Sequence, residues 1–472
     1  MFDPVIAPSG TLLGLLQRGR GDGTLHALTA PRAEALAALN HCVLHDPRHD
    51  WQVENRSLYY ARLFLDLRGE LDEIERHLFA PDDVLETDES RTGLALTVLG
   101  HLASYGRRDA LELLRRYAAY GTNWAWALDE LALRDDDAGL RGLAVAVLAR
   151  FPSTPEGDAE LAAAVRDAFE PRPWRLWADD PREAIASRVR AAGERGSFDR
   201  WQRQLTPTGP RPGWSVQAVF DWAQQGIERG ALLHVPAARC LTAVAGPDDR
   251  PAIVEAARSG NDGARCTALR YLAAAQDPAA LDLIEAAVDS PSRLVVDAAV
   301  DAFERMCSVA AVERARRWAG RPDVLGAAAG RMLACRGGTE DSHLVLAALR
   351  ETVRGDGPDA PTLGTLVDGT GRLGIVCAAP VLRHLYRETA SSHLRGRAAR
   401  ALAATDPSFA AGFAVECLWD CEESTREVAA RHAETGDVRV VEQLRRLASD
   451  PAEEAEVQTA VRSRIGPDAS AV

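Results

Sequence analysis

The chain has 472 residues, 55 of them basic and 69 acidic, for a net charge of −14 and a pI near 5.4. None of the basic residues is lysine, which excludes lysine Schiff-base chemistry, a phosphate-holding P-loop lysine and a lysine general base; the acidic balance disfavours phosphate backbones and anionic lipid. Hydrophobic content of 46% with only 6% aromatic means that alanine, leucine and valine dominate, which suits packed helices and points to an all-α chain.

Taken in order, residues 1–24 are Gly-rich near Gly19 to Gly23 and read as a loose N-terminal arm or cap. Residues 25–170 carry irregular helical repeats, with apolar helical periodicity over Pro31 to Leu44, Trp51 to Leu67, Leu71 to Phe79, Thr92 to Ser104, Ala110 to Tyr120, Trp124 to Leu133 and Leu140 to Phe151. Gly121 and Pro152 act as stops. Residues 171–234 form an Arg/Trp/Pro-rich junction: nine Arg face five Asp or Glu between 171 and 213, and Thr206 to Gly213 (TPTGPRPG) cannot be helical throughout, so it reads as a hinge or projecting loop.

Residues 235–465 repeat one pattern. Ala237, Ala268, Ala299, Ala329, Ala398 and Ala429 are spaced by 31, 31, 30, 69 and 31, the long interval holding two slightly long units. A larger apolar residue keeps the beat at Leu241, Leu272, Phe303, Leu333 and Leu402. From Gly263 to Arg293, Ala268, Leu269 and Leu272 share a helical face; Asp277-Pro278 then supplies an N-cap and first-turn proline for a second helix bearing Leu281, Ile284 and Val288. His393 to Glu423 repeats that order, break included. These residues resemble the short bacterial HEAT-like repeats of the phycobiliprotein-lyase type, within the armadillo-type α-solenoid superfamily. The resemblance covers roughly Val235 to Glu454 and implies an αα-superhelix, with no catalytic residue to carry over. Arg354 to Pro361 breaks the regularity, and residues 466–472 read as a tail.

The eight cysteines, Cys42, Cys240, Cys266, Cys307, Cys335, Cys377, Cys417 and Cys421, stand singly and mostly in apolar runs. They read as buried free thiols of a reducing compartment. With no basic n-region and no apolar run approaching 18 residues, neither export nor membrane insertion is expected, and a cytoplasmic location is.

Several constellations are candidates for function. Trp174, Trp177, Trp201, Trp214 and Trp222 lie within 49 residues beside Arg172, Arg175, Arg182, Arg188, Arg200 and Arg203. Arg and Trp are the residues most enriched in binding hot spots, so Arg172, Trp174, Arg175, Trp177, Trp201, Trp214 and Trp222 are the expected partner-binding set; the alternative is that they pack a junction. A second aromatic cluster comprises Tyr117, Tyr120, Asn123, Trp124, Trp126 and Asp129. Here Trp124 to Leu131 resembles the tryptophan-plus-aspartate helix of the HEAT-fold alkylpurine DNA glycosylases. That resemblance implies a base-binding pocket of Tyr120, Trp124, Trp126 and Asp129, although the tryptophan spacing and the absence of lysine depart from that pattern.

His41 and His45 share a helix face near Cys42, His49 and Asp50, but no glutamate follows His41 as a zinc hydrolase would require, and no metal site is assigned. Gly369, Gly371 and Gly374 spell GxGxxG without the strand before it or the acidic residue after it, so they read as an interhelical turn. Asp135 to Asp137 read as solvated loop charges and helix caps, and Glu416, Asp420, Glu422 and Glu423 as part of an acidic interaction surface. No cofactor and no nucleophile arrangement is indicated. The expected function is a non-catalytic scaffold or adaptor that presents a concave solenoid groove to a basic or neutral protein or peptide. The alternatives are the glycosylase-like nucleic-acid enzyme and an acidic inhibitor or immunity-type protein that neutralises a basic toxin.

Overall fold

The computed structural model describes residues 6–48, 52–80, 91–204 and 213–465, with the backbone alone over 196–204. Among these residues there are 28 α-helices and no strand. The fold is all-α and of the helical-repeat class. It divides into two compact units, one of residues 1–207, 387–399 and 408–472, the other of residues 208–386 and 400–407.

In the second unit, consecutive helices pair as hairpins and one row of helices stacks from repeat to repeat: Asp262–Ala274 on Arg293–Arg305, that on Val324–Arg336, and that on Leu363–Arg372. The repeating alanines sit where these helices meet. Ala237, Ala268, Ala299 and Ala329 are fully buried, and Leu241, Leu272, Phe303 and Leu333 fill the space beside them; a small residue at the crossing lets two helix axes approach closely. Asn261, Ser308 and Asp323 cap their helices by accepting from the N–H groups of Ala264, Ala311 and Gly326 at 2.9, 3.3 and 3.1 Å. The long alanine interval contains the helix Leu363–Arg372, and the extra residues are taken up by the 15-residue helix Ser342–Asp356 and the turn at Gly357, whose φ of 84° favours glycine.

A recurring clasp crosses the repeats. Arg250, Arg316 and Arg383, each on the second helix of a hairpin, fork onto the aspartate that ends the next helix of the stacked row: Asp277 at 2.7 and 2.8 Å, Asp341 at 2.8 and 3.0 Å, Asp406 at 2.7 Å twice. Asp277 also accepts from Ala279 N at 2.9 Å, and the following helix begins at Ala280. The expected cap is therefore a turn-forming carboxylate that also binds the neighbouring repeat. The guanidinium bonds hold Asp277 and Asp341 below the usual carboxylate pKa.

The first unit joins both ends of the chain. Thr11 caps the helix Leu12–Arg18, which stops at Gly19 in the left-handed region (φ 67°), and Gly21–Thr29 follows. Most side chains of these two helices are buried. The Gly19 carbonyl accepts from Cys421 N at 2.9 Å, Arg18 Nε donates to Glu388 O at 3.2 Å, and Ser9 Oγ to Glu388 Oε2 at 2.8 Å. A loose arm is thus replaced by two docked helices, because the small residues Gly19, Gly21 and Gly23 let the backbone lie against Cys421, Glu416 and Tyr59. Two fully buried arginines secure the joint. Arg395 donates to both oxygens of Asp420 at 2.7 and 2.9 Å, and Arg56 to Ala390 O at 2.6 Å and to Gln17 O. Glu54 accepts from Ser391 Oγ and Ser392 N at 2.5 and 2.6 Å. Further along, Arg62 pairs with Asp450 and Glu453 at 2.8 and 3.1 Å, while Arg426 holds Glu453 at 2.7 Å.

Removing one member of a buried ion pair strands the other. Arg395→Ala is predicted to destabilise the first unit by about 3–5 kcal/mol, read as a lower denaturant midpoint with faster proteolysis around residues 12–29; an unchanged midpoint would show that the pair contributes nothing there.

Candidate functional site

The helix Trp124–Arg134 begins after Gly121, where a side chain would collide with the Tyr117 ring. Its i, i+3 and i, i+4 spacings bring Trp126, Asp129, Glu130 and Leu133 to the vicinity of one opening. The other wall comes from the helix Pro155–Asp167 and from Ala168, Phe169 and Glu170, which lead into the helix Arg172–Ala178. Together they enclose a cavity of about 570 Å³ within the first unit, also lined by Trp124, Leu128, Ala164 and Trp174. Its volume falls inside the usual range for ligand sites.

The aromatic walls are fixed by packing. Trp124 meets Phe151 and Trp174 edge-on at 5.7 and 6.4 Å, with the Arg150 guanidinium 5.6 Å from its ring centre. Trp126 Nε1 donates to Thr97 Oγ1 at 3.1 Å. Phe169 and Leu133 at the mouth are 82% and 59% exposed, so apolar surface is held open to solvent.

Four carboxylates line the cavity: Asp129, Glu130, Asp167 and Glu170. Glu130 lies 2.7 Å from Arg134 and Asp167 2.7 Å from Arg166. Asp129 accepts from Glu170 N at 3.0 Å, and among the described residues no cationic side chain forms an ion pair with it. Burial pushes its carboxyl up to about 6, the Glu170 charge adds to the rise, and the Glu170 N–H opposes it. Burial also raises Glu130, against the pull of Arg134. Among the described residues no arginine or histidine lines the cavity, and the chain has no lysine. Its chemistry is aromatic and acidic.

Trp124, Trp126 and Asp129 of the expected base-binding set therefore do line one cavity. Tyr120 is not among the lining residues and is 77% exposed, because its helix ends at that residue and the chain turns at Gly121. Glu130, Phe169 and Glu170 do not stand out in the sequence, where the only signal is the apolar pair Ala168 and Phe169 between Asp167 and Glu170 just before Pro171.

The described members of the Arg/Trp group in the first unit are engaged in its packing, apart from Arg175. Trp177 is fully buried and donates to Leu140 O at 2.8 Å, and Trp174 is 5% exposed and packs edge-on against it at 4.9 Å. Arg172 donates to Ala132 O, Asp135 O and Asp137, and Arg188 to Leu148 O, Phe151 O and Pro152 O. These side chains close helix ends and fill the core. Arg175 is exposed. Trp214 and Trp222 stack edge-on at 5.7 Å in the second unit. The side chains of Arg200, Trp201 and Arg203, and the segment 205–212, lie outside the described residues.

The remaining candidates are placed as follows. Asp135 takes both forks of Arg115 at 2.8 and 2.5 Å and Asp136 caps its helix, while Asp420 is buried on Arg395 and Glu422 faces His393 at 3.2 Å. Buried Asp135, Asp420 and Glu422 thus bind the fold and are not solvated, whereas Asp136 and Asp137 are exposed, Asp136 as a helix cap, and Glu423 is exposed. His41, His45 and His77 form a chain of rings at 5.3 and 6.0 Å; His49 and Asp50 lie outside the described residues, and among those described no group of three His, Cys, Asp or Glu is placed to hold a metal ion. Gly369 and Gly371 lie inside the helix Leu363–Arg372 against Ala334 and Ala401, and only Gly374 turns. Cys42, Cys266 and Cys417 are buried, but Cys307, Cys335 and Cys377 are exposed, so the reading of the thiols as mostly buried holds only in part. Among the described residues no helix is long and apolar enough to cross a membrane.

Comparison with protein-family models and with curated protein sequences gives no match.

Because Asp129 has a raised folded-state pKa, the folded chain holds a proton that the unfolded chain releases from about pH 4 to 6. Its contribution to stability is present below that window and is lost as pH rises through about 6. Asp129→Asn is predicted to raise the melting temperature at pH 7.5 and to leave it nearly unchanged at pH 4. Equal effects at both values would mean that the carboxyl titrates normally.

Proposed function

We propose that the chain is a non-catalytic binding protein, a HEAT-like helical-repeat scaffold or adaptor acting in the cytoplasm, whose partner is a basic protein or peptide. The observation that carries this reading is the aromatic and acidic cavity beside exposed Phe169 and Leu133. Fixed tryptophans, an open apolar rim and negative charge are the features of a hot spot for a cationic partner. The net charge of −14 adds long-range attraction for such a partner. In this reading the helical hairpins supply a large, preorganised face and the cavity supplies the anchor.

One observation favours a second reading, a nucleic-acid enzyme of the alkylpurine-glycosylase kind: Asp129, with its raised pKa, stands beside Trp124 and Trp126. Against it, among the described residues no cationic side chain lines the cavity to hold the flanking phosphates.

The two readings separate in a tagged purification of the full chain from its native cells. The expected result is a stoichiometric basic protein, identified by mass spectrometry, whose recovery drops when Trp126 is replaced by alanine, with an absorbance ratio free of nucleic acid. Nucleic acid that co-elutes and is removed by salt would overturn the scaffold reading in favour of the enzyme.

A further inference from the structure

The cavity is an unusual place for a carboxylate. Asp129 is partly desolvated in a cavity that Trp124, Trp126 and Trp174 also line; among the described residues it forms no ion pair, and the one hydrogen bond it accepts, from Glu170 N, leaves its second oxygen available. A neutral ligand would leave that charge uncompensated, and an anion would add to it. A flat or compact organic cation satisfies both demands of the site, since it supplies the missing counter-charge to Asp129 and can lie against the negative faces of aromatic rings.

We infer that this cavity is a receptor for a single cationic side chain, an arginine or lysine of an extended peptide, with the charge on Asp129 and the flanking residues of the peptide on Phe169 and Leu133. The inference rests on the scaffold reading and deepens it by naming what the partner inserts. The peptide source is favoured over a free small cation by the rim: Phe169 and Leu133 are exposed apolar side chains at the mouth, which a free small cation would leave uncovered. Specificity follows from the pairing of the neighbours. Arg134 and Arg166 already hold Glu130 and Asp167, and Arg150 covers Trp124, so among these groups the demand for a cation centres on Asp129, with Glu170 beside it.

Binding of a cation favours the charged form of Asp129 and displaces its proton, so affinity is full above about pH 6 and falls as pH drops below it.

The test is a titration of the full chain, followed by tryptophan fluorescence and calorimetry at pH 7.5 and pH 5, with a capped hexapeptide carrying one arginine among neutral residues. A second peptide replaces that arginine by citrulline, which has nearly the same shape and no charge. The expected result is binding about tenfold or more tighter for the arginine peptide, a loss of about that size in Asp129→Asn and in Trp126→Ala, and weaker binding at pH 5. Asp129→Asn is expected to fold, and circular dichroism checks that it does; Asp129→Glu should retain part of the affinity. Equal binding of the two peptides, no effect of Asp129→Asn, or a single-stranded oligonucleotide binding in place of the peptide would each overturn the inference. A free alkylguanidinium that binds as tightly as the peptide would overturn the peptide source. If Asp129→Asn still recovers the cellular partner, the scaffold reading stands and this site fails; if the peptide binds but no protein is recovered, the reverse holds.

Discussion

Every side-chain cation other than histidine on this chain is a guanidinium, and its five N–H donors lie in one plane, so a single group can close two bonds on a carboxylate and still reach a carbonyl. The structure uses that geometry in two recurring ways. One is the clasp from the second helix of a hairpin onto the aspartate ending the next stacked helix, as in Arg250 to Asp277, Arg316 to Asp341 and Arg383 to Asp406. The other is the capture of carbonyls at a neighbouring helix end. Arg372 reaches Leu333, Ala334 and Gly337, Arg150 reaches Ala119 and Gly121, and Arg32 reaches Leu67 and Arg68. Helix C-termini expose carbonyls without intrahelical partners and carry partial negative charge, so a guanidinium there satisfies both. Lysine, a point charge, could not make the forked contact.

This use of arginine accounts for part of the mid-chain Arg/Trp group. Arg172 and Arg188 are spent on carbonyls, and their neighbours Trp174 and Trp177 pack beneath. With these cations engaged in the fold, Asp129 is a cavity-lining carboxylate that no described cationic side chain pairs with, one turn inside a helix whose next carboxylate, Glu130, is matched by Arg134. The candidate site is thus defined by what the clasps omit.

The repeats were readable because their constraint is local and periodic. Ala268, Ala299 and Ala329 had to be small to let helices cross, and that need recurs every 30 or 31 residues. The helical segments from Pro31 to Phe151 were readable for the same reason, their boundaries shifting by a few residues at most of their ends. What sequence could not give was set at long range. The docking of Leu12–Arg18 depends on Arg395, Asp420 and Cys421, some 400 residues away, and glycines that signal a loose arm in isolation are close-packing glycines in that setting. Aspartates at 420 and 135 look solvated until their arginines are placed. In the cavity, Trp124, Trp126 and Asp129 stood out by composition, while Phe169 and Glu170 belong to a different helix connection and reach the site only through the pairing of the helices Trp124–Arg134 and Arg172–Ala178.

The space beside Asp129 is the proposed seat for positive charge. A crystal structure of the full chain with an arginine-bearing peptide tests it most directly. The expected result is a guanidinium within hydrogen-bond distance of Asp129, lying over a tryptophan face, with peptide residues across Phe169 and Leu133. A peptide bound elsewhere on the molecule, or a neutral side chain occupying the cavity while the arginine points to solvent, would contradict it.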